Sequence, residues 1–391
     1  MRNDEKGRHA SFVIVAVLTL VTSASADNLV IVGDGGIAHS DDGGATWTDS
    51  VGGQTPRLWD VKFVDSRYGW SAGHVENVVR TVDGGRTWSP TAGQPGLQDP
   101  NIALGIDFVD RNRGWLVHAG GIIMHTTDGG NTWLPQTSNV PFSNLFAVQF
   151  FNENIGWIAG TNSAALYTTN GGATWTNALA ATYPQARPSF EGMHFVDVNH
   201  GWAVGIDGVI SHTNDGGLTW TEQSSNTSVH LKSVDFVDTR NGFVGARDGT
   251  VLRTTDGGQT WQQLLSLDSP RAIYDVEFRD ANTGWVVGGD YIFTRQTPVR
   301  RGRASFIAGS PSMPSHWSHP FPSRRLSVCS WAAYAFSARV VRVGRAIDPR
   351  PSATKAAPTS RRVEYLPRRG RPGTSPLDAS RVFRENCRQT G

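Results

Sequence analysis

From residue 27 to residue 295 the chain is built from short runs of apolar and polar residues in alternation, separated by Gly, Asp and Asn. Residues 231–264 show the pattern. "LKSVDFV" alternates, "DTRN" turns, "GFVGA" is a short apolar run, "RDG" turns, "TVLRTT" alternates, "DGG" turns and "QTWQQLL" closes. Period-two alternation in β-branched and aromatic residues, bounded by turn formers, predicts antiparallel strands. No stretch of 27–295 sustains a 3.6-residue apolar period, so no amphipathic helix is expected. The predicted fold class is all-β.

The pattern repeats. "TTDGGQTW" at 254–261 has counterparts at 40–47, 81–88, 126–133, 168–175 and 213–220, and its Trp falls at spacings of 41, 45, 42, 45 and 41. A second motif runs in step: "VKFVDSRYGW" is matched by "IDFVDRNRGW", "VQFFNENIGW", "MHFVDVNHGW", "VDFVDTRNGF" and "VEFRDANTGW". Four strands per repeat at this period predict the four-stranded blades of a β-propeller. Five repeats are complete. "NLVIVGDGGIAHS" at 28–40 is a leading fragment, and a second fragment trails after residue 273. Joined, the fragments make six blades; kept apart, they make seven.

Each repeated turn carries Asp42, Asp83, Asp128, Asn170, Asp215 or Asp256. A carboxylate there can accept hydrogen bonds from turn N–H groups, and the Gly pair supplies positive φ. One carboxylate per turn falls far short of the six or more oxygens that Ca²⁺ takes, and Asn170 drops the charge altogether. The turns are therefore expected to be fasteners, with no metal held there and no cofactor. Asp65, Asp110, Asp197, Asp238 and Asp280 recur as turn formers after the first strand. His39, His125 and His212 share a third-strand slot with Arg80, Tyr167 and Arg253, which suits a half-exposed strand face better than a metal site.

Charge divides the chain. Residues 27–295 carry a net −13 and residues 296–391 a net +14. An acidic body argues against a nucleic-acid partner. Both cysteines, Cys329 and Cys387, lie in the basic segment, so the body uses no disulfide. The N-terminus has a polar start, the apolar run "SFVIVAVLTLV" and "TSASA", the layout of a signal peptide spanning 1–26 and cleaved after Ala26. Export to the periplasm or beyond is expected, with no membrane span left after cleavage. Residues 296–391 are rich in Arg, Pro and Ser, a composition that seldom packs a core. The register is lost at once: with Thr294 aligned on Thr254, Gln296 stands where Asp256 does. The expectation is a disordered tail or a change of reading frame.

"S/T-x-D-G-G-x-T-W" is the Asp box, or BNR repeat, of sialidases, some glycoside hydrolases and sortilin-type receptors. Paired with "FVDxxxGW" in every repeat, it most resembles the photosystem II stability/assembly factor family. The resemblance implies a seven-bladed, non-catalytic propeller that binds a protein or peptide partner, such as a membrane-protein assembly intermediate. The residues alone leave a secreted carbohydrate-active protein, lectin-like or a divergent sialidase, as the alternative. The Arg-Ile-Pro signature of a sialidase is missing, and three arginines converging with a Tyr–Glu pair at the channel mouth would favour that alternative. The least repetitive loops lead into the first strands and carry Arg57, Trp59, Arg187, Phe190, Lys232, Arg271 and Tyr274. Arginines and aromatics of this kind anchor interfaces, so these seven are the candidate partner-binding residues.

Overall fold

Alternation places one face of each strand against a neighbouring sheet, and the turns are too short for anything but hairpins. The result, in this computed structural model, is a ring of sheets. The structure describes residues 28–33, 36–52, 57–74, 78–93, 102–179, 188–266, 272–288 and 292–293 in full, and strands Ile14–Thr19, Ile292–Gln296, Ser305–Gly309 and Arg342–Val343 by their backbone. Seven antiparallel blades result. Blade 2 runs Leu58–Phe63, Gly69–Gly73, Val78–Thr81 and Ser89–Pro90. Blades 3 to 6 repeat that order from Ala103, Leu145, Phe190 and Leu231. The described residues contain no α-helix, only two short 3₁₀ turns.

The two fragments stay apart, which fixes the count at seven. Blade 1 holds Asn28–Gly33, Gly36–Ser40 and Thr48–Asp49, and its first strand is Ile14–Thr19, from the run expected to be the apolar part of a leader. Arg342–Val343 pairs with that strand in parallel. Blade 7 holds Ile273–Asp280, Thr283–Gly288 and Ile292–Gln296, and takes Ser305–Gly309 as its fourth strand, so its sheet reaches past the expected boundary at 295. Its register also differs from the alignment above. Gly284 pairs with Arg295, as Gly242 pairs with Thr254, so Arg295 rather than Thr294 fills the Thr254 slot. The hairpin between Val287 and Ile292 is one residue shorter than its blade 6 counterpart, not two. The rest of the tail, including the unit Pro349–Gly391, lies outside the described residues.

Aromatic rings lock blades 2 to 7, each to the next. Trp70 stacks on Phe108 of the following blade at 3.9 Å, and Phe108 meets its own Asp-box Trp133 edge-on at 6.0 Å. Trp115, Trp157 and Trp202 stack in the same way on Phe150, Phe195 and Phe236, and Phe243 stacks on Phe278. The glycine before each Trp is required by this packing: a Cβ on Gly114 would lie 2.5 Å from the ring of Phe108. The indole N–H also reaches forward. Trp70, Trp115, Trp157 and Trp202 donate to the carbonyls of Gly129, Gly171, Gly216 and Gly257, in the next blade's Asp box. Trp285 of blade 7 donates to Gly43 of blade 1 at 3.2 Å. Around it Val287 and Ile292 pack with Leu29, Ile31, Ala38 and Trp47, which closes the ring.

A polar belt joins the innermost strands. It is formed by the residue before each inner-strand Phe: Lys62, Asp107, Gln149, His194, Asp235 and Glu277. Asp107 accepts the N–H of Phe150, Gln149 that of Phe195, His194 that of Phe236 and Asp235 that of Phe278. Lys62 reaches Asp107 at 2.6 Å. Backbone N–H groups on the inner edge of blades 4 to 7 thereby find acceptors on the blade before, which a buried edge demands.

The ring has two distinct faces. On one, the Asp boxes lie against the turns after the first strands, as in Gly84 N–H to Arg67 O and Gly257 N–H to Arg240 O. On the other, the entry to each first strand lies against the hairpin between the second and third, as in His74 N–H to Arg57 O and Arg247 N–H to His230 O.

Candidate functional site: the channel mouth

The Asp boxes come first, because they are the most repeated feature. Asp256 accepts the Thr254 hydroxyl at 2.7 Å, the Thr260 N–H at 3.0 Å and the Thr260 hydroxyl at 2.6 Å. The Thr254 hydroxyl in turn accepts the Gly258 N–H at 2.9 Å. Asp42, Asp83, Asp128 and Asp215 repeat this set. At Asn170 the amide Nδ2 donates to the Thr174 hydroxyl where the carboxylates accept. Every one of these carboxylate oxygens accepts at least one hydrogen bond from within its own turn, as the fastener reading expects. The Thr260 hydroxyl, then its N–H and the Thr254 hydroxyl, hold the Asp256 carboxyl down at about 2. In Asp42, Asp83, Asp128 and Asp215 burial pushes upward, yet the same bonds carry the net shift downward.

The recurrent turn aspartates behave alike: Asp65 accepts the N–H groups of Arg67 and Tyr68 at 2.8 Å, and Asp110, Asp197, Asp238 and Asp280 do the same two and three residues on. The histidine slot is a half-buried strand face, with His125 and His212 stacked on Trp115 and Trp202. Among the described residues no cluster could hold a metal ion, and no helix is long and apolar enough to cross a membrane.

The irregular feature lies at the axis. The innermost strands of blades 2 to 7 each have a bulge near the start. In blade 2 Leu58 is opposite Gly73 and Asp60 opposite Ala72, which makes Trp59 the extra residue of the bulge. The same shift makes Leu104, Phe146, Glu191, Lys232 and Tyr274 the extra residues in blades 3 to 7. A bulge turns its extra side chain out of the regular alternation. Here all six turn to one place: Trp59, Leu104, Phe146, Glu191, Lys232 and Tyr274, from six different blades, line a single pocket with about 30 Å³ of free space. Only the axis of the ring can be shared by six blades. Ala147, Gly192, Met193, Ser233, Val234 and Asp275 complete the lining.

Within it Lys232 donates to Glu191, with side-chain exposures of 1% and 5%. Burial pushes the Lys232 ammonium downward, and Glu191 pulls it part of the way back. A pair so buried gains from its Coulomb attraction but costs desolvation of both groups, so it is weak evidence of a stability role.

Three candidate residues, Trp59, Lys232 and Tyr274, line the pocket. Phe190 does not. The bulge at Glu191 resets the alternation, and Phe190 points into the core between blades 4 and 5, fully buried with Trp157, Met193 and Phe195. Lys232 belongs to the mouth, but as half of a buried pair and not as one of a ring of exposed cations. Arg57 stands at the strand entry with φ of 57° and its carbonyl bound by His74. Arg187 and Arg271 lie outside the described residues. Glu191, Leu104 and Phe146 were missed. They share one repeat slot, four residues before the inner-strand Phe, where the six repeats read Trp, Leu, Phe, Glu, Lys and Tyr. Disagreement at a fixed slot was the available signal.

Seven four-stranded blades, fastened by Asp boxes around a lined channel, define the class: this is an Asp-box β-propeller. The family model described as "Photosynthesis system II assembly factor YCF48" matches residues 94–189 and 184–271, and the chain resembles that family. No curated protein matches the sequence. Among solved structures, YCF48 bound to D1 peptide is 20% identical, covering 62% of this chain and 93% of that one, with a TM-score of 0.38. YCF48 from Cyanidioschyzon merolae is 18% identical over 60% and 93%, with a TM-score of 0.37. A GH74 enzyme from Niastella koreensis is 14% identical over 77% of this chain and 54% of that one, with a TM-score of 0.59; it shares the fold.

Proposed function

We propose that the protein is an exported, non-catalytic propeller that holds a protein or peptide partner at its channel mouth, in the manner of an assembly factor. The observation that carries the proposal is the convergence of six bulge residues on the axis. Aromatic anchors in a desolvated pocket are the usual centre of a protein interface, and Trp59, Phe146 and Tyr274 supply them. The family match supports an assembly role, and a membrane-protein assembly intermediate is the partner we propose. Export rests on the leader-like first 26 residues. A sialidase-type site would need arginines that converge on a carboxylate, and among the described residues none lines this pocket.

The test is site-specific photo-crosslinking in cells that express the protein. A benzophenone side chain at position 59 or 274 is expected to trap one partner, and the same group at Arg86, on the Asp-box face, is expected not to. Equal adducts from the two faces would refute the mouth as the binding surface.

A further inference from the structure

The floor of the mouth has a particular chemistry. An ammonium has three N–H donors. Among the described residues the Lys232 ammonium has one partner, Glu191, which uses one donor. Glu191 receives no other hydrogen bond from them. Two donors and a carboxylate oxygen are thus held side by side, nearly out of water, at the bottom of a pocket walled by Trp59, Leu104, Phe146 and Tyr274. Buried polar groups left unsatisfied are costly, so such a floor favours any ligand that supplies both an acceptor and a donor.

Charge selects among the candidates. A carboxylate would bring its oxygens against Glu191, with Asp275 also in the lining. An ammonium or guanidinium would face Lys232. A carboxamide avoids both conflicts, because its carbonyl accepts from Lys232 while its N–H donates to Glu191. The free space of about 30 Å³ fits one small polar group, and the aromatic walls suit the methylenes behind it.

We infer that the channel mouth reads a neutral amide in the bound segment, either the side chain of Gln or Asn or a main-chain peptide group, and discriminates against free carboxylates. The inference rests on the mouth being the partner surface, and it names what that surface recognises.

Four peptides, acetyl-Ala-X-Ala-amide with X as Gln, Glu, Lys or Leu, test it. Binding is read from the indole N–H resonance of Trp59, assigned with Trp59→Phe. If the side-chain amide is read, the Gln peptide binds about tenfold more tightly than the Glu and Lys peptides, the factor that one charge-assisted hydrogen bond gives. If the main chain is read, the Gln and Leu peptides bind alike and the Glu and Lys peptides bind more weakly. In the double variant Glu191→Leu with Lys232→Met, apolar residues of similar volume replace the pair, which buried pairs commonly tolerate. There the Lys peptide is expected to bind at least as tightly as the Gln peptide, because Asp275 is left as the one charged group of the lining. Equal affinities for Gln and Glu in the native protein, or no response of Trp59 to any of the four, would overturn the inference. Normal crosslinking at position 59 together with that result would sink the amide specificity alone. Crosslinking spread over both faces would sink the mouth itself.

Discussion

Asp256→Ala and Asp256→Asn separate the fastener from every alternative role of the Asp box. Asp256 holds three hydrogen bonds, two from Thr260 and one from Thr254. On a half-exposed side chain each contributes toward the low end of the usual range, about 0.5 kcal/mol, so Asp256→Ala should cost about 1–1.5 kcal/mol. Asn170 shows that an amide fills the same geometry. Asp256→Asn should therefore cost roughly 0.5 kcal/mol or less at pH 7, the difference between ionic and neutral bonds. Acid makes the comparison sharper. The folded carboxyl sits at about 2, below its ordinary value of 3.8. A depressed pKa stabilises the fold above the unfolded value, and that contribution is lost as pH falls from near 4 toward 2. The native protein loses it and the Asn variant has none to lose, so their melting temperatures should converge between pH 4 and pH 2. Thermal melts followed by tryptophan fluorescence at pH 7, 4 and 3 provide the measurement. If Asn costs as much as Ala, or if either variant loses binding at unchanged stability, the box is more than a fastener.

Other substitutions probe the ring and the mouth. Trp202→Phe keeps the stack on Phe236 and loses the bond to Gly257, whose carbonyl keeps Gln223, so it should cost about 1 kcal/mol, while Trp202→Ala should cost about 3–5 kcal/mol by chemical denaturation. Arg57→Glu with Arg271→Glu should weaken partner capture, and Arg86→Glu should leave it unchanged; equal effects would relocate the binding surface. Intact mass of exported protein should begin at Asp27, and protein retaining Ile14–Thr19 would show that this segment serves as a strand and not as a leader.

The repeat made most of the fold legible before any coordinates. Strand alternation, the Asp turns after each first strand and the half-exposed histidine slot all follow from local chemistry that recurs six or seven times. The blade count stayed open because the first strand of blade 1 and the fourth of blade 7 come from segments that carry no repeat motif. The mouth was only half legible for a different reason. Alternation assigns faces correctly only while the ladder is unbroken, and a bulge in the inner strand of blades 2 to 7 changes the phase. Phe190 faces the core and Glu191 the pocket for that reason. The pairing of Lys232 with Glu191 joins residues 41 apart on adjacent blades, and nothing local to either residue announces it.

The forward-reaching tryptophan has a consequence for how such a ring could arise and change. Five of the inter-blade joints are split between two repeats: the donor indole belongs to one unit and the acceptor turn to the next. A duplicated unit therefore brings the right half-joint at both ends, and a ring can lengthen or shorten by whole units without new joints being invented. A truncated unit breaks that symmetry on one side only. Blade 7 carries no Asp box in its sequence, and the residue that would address it, in blade 6, is Phe243, which stacks on Phe278 and has no N–H to place. The two halves need not match, however: in blade 1 Val30 fills the tryptophan slot, with no N–H to place, although blade 2 keeps its Asp box at 81–88.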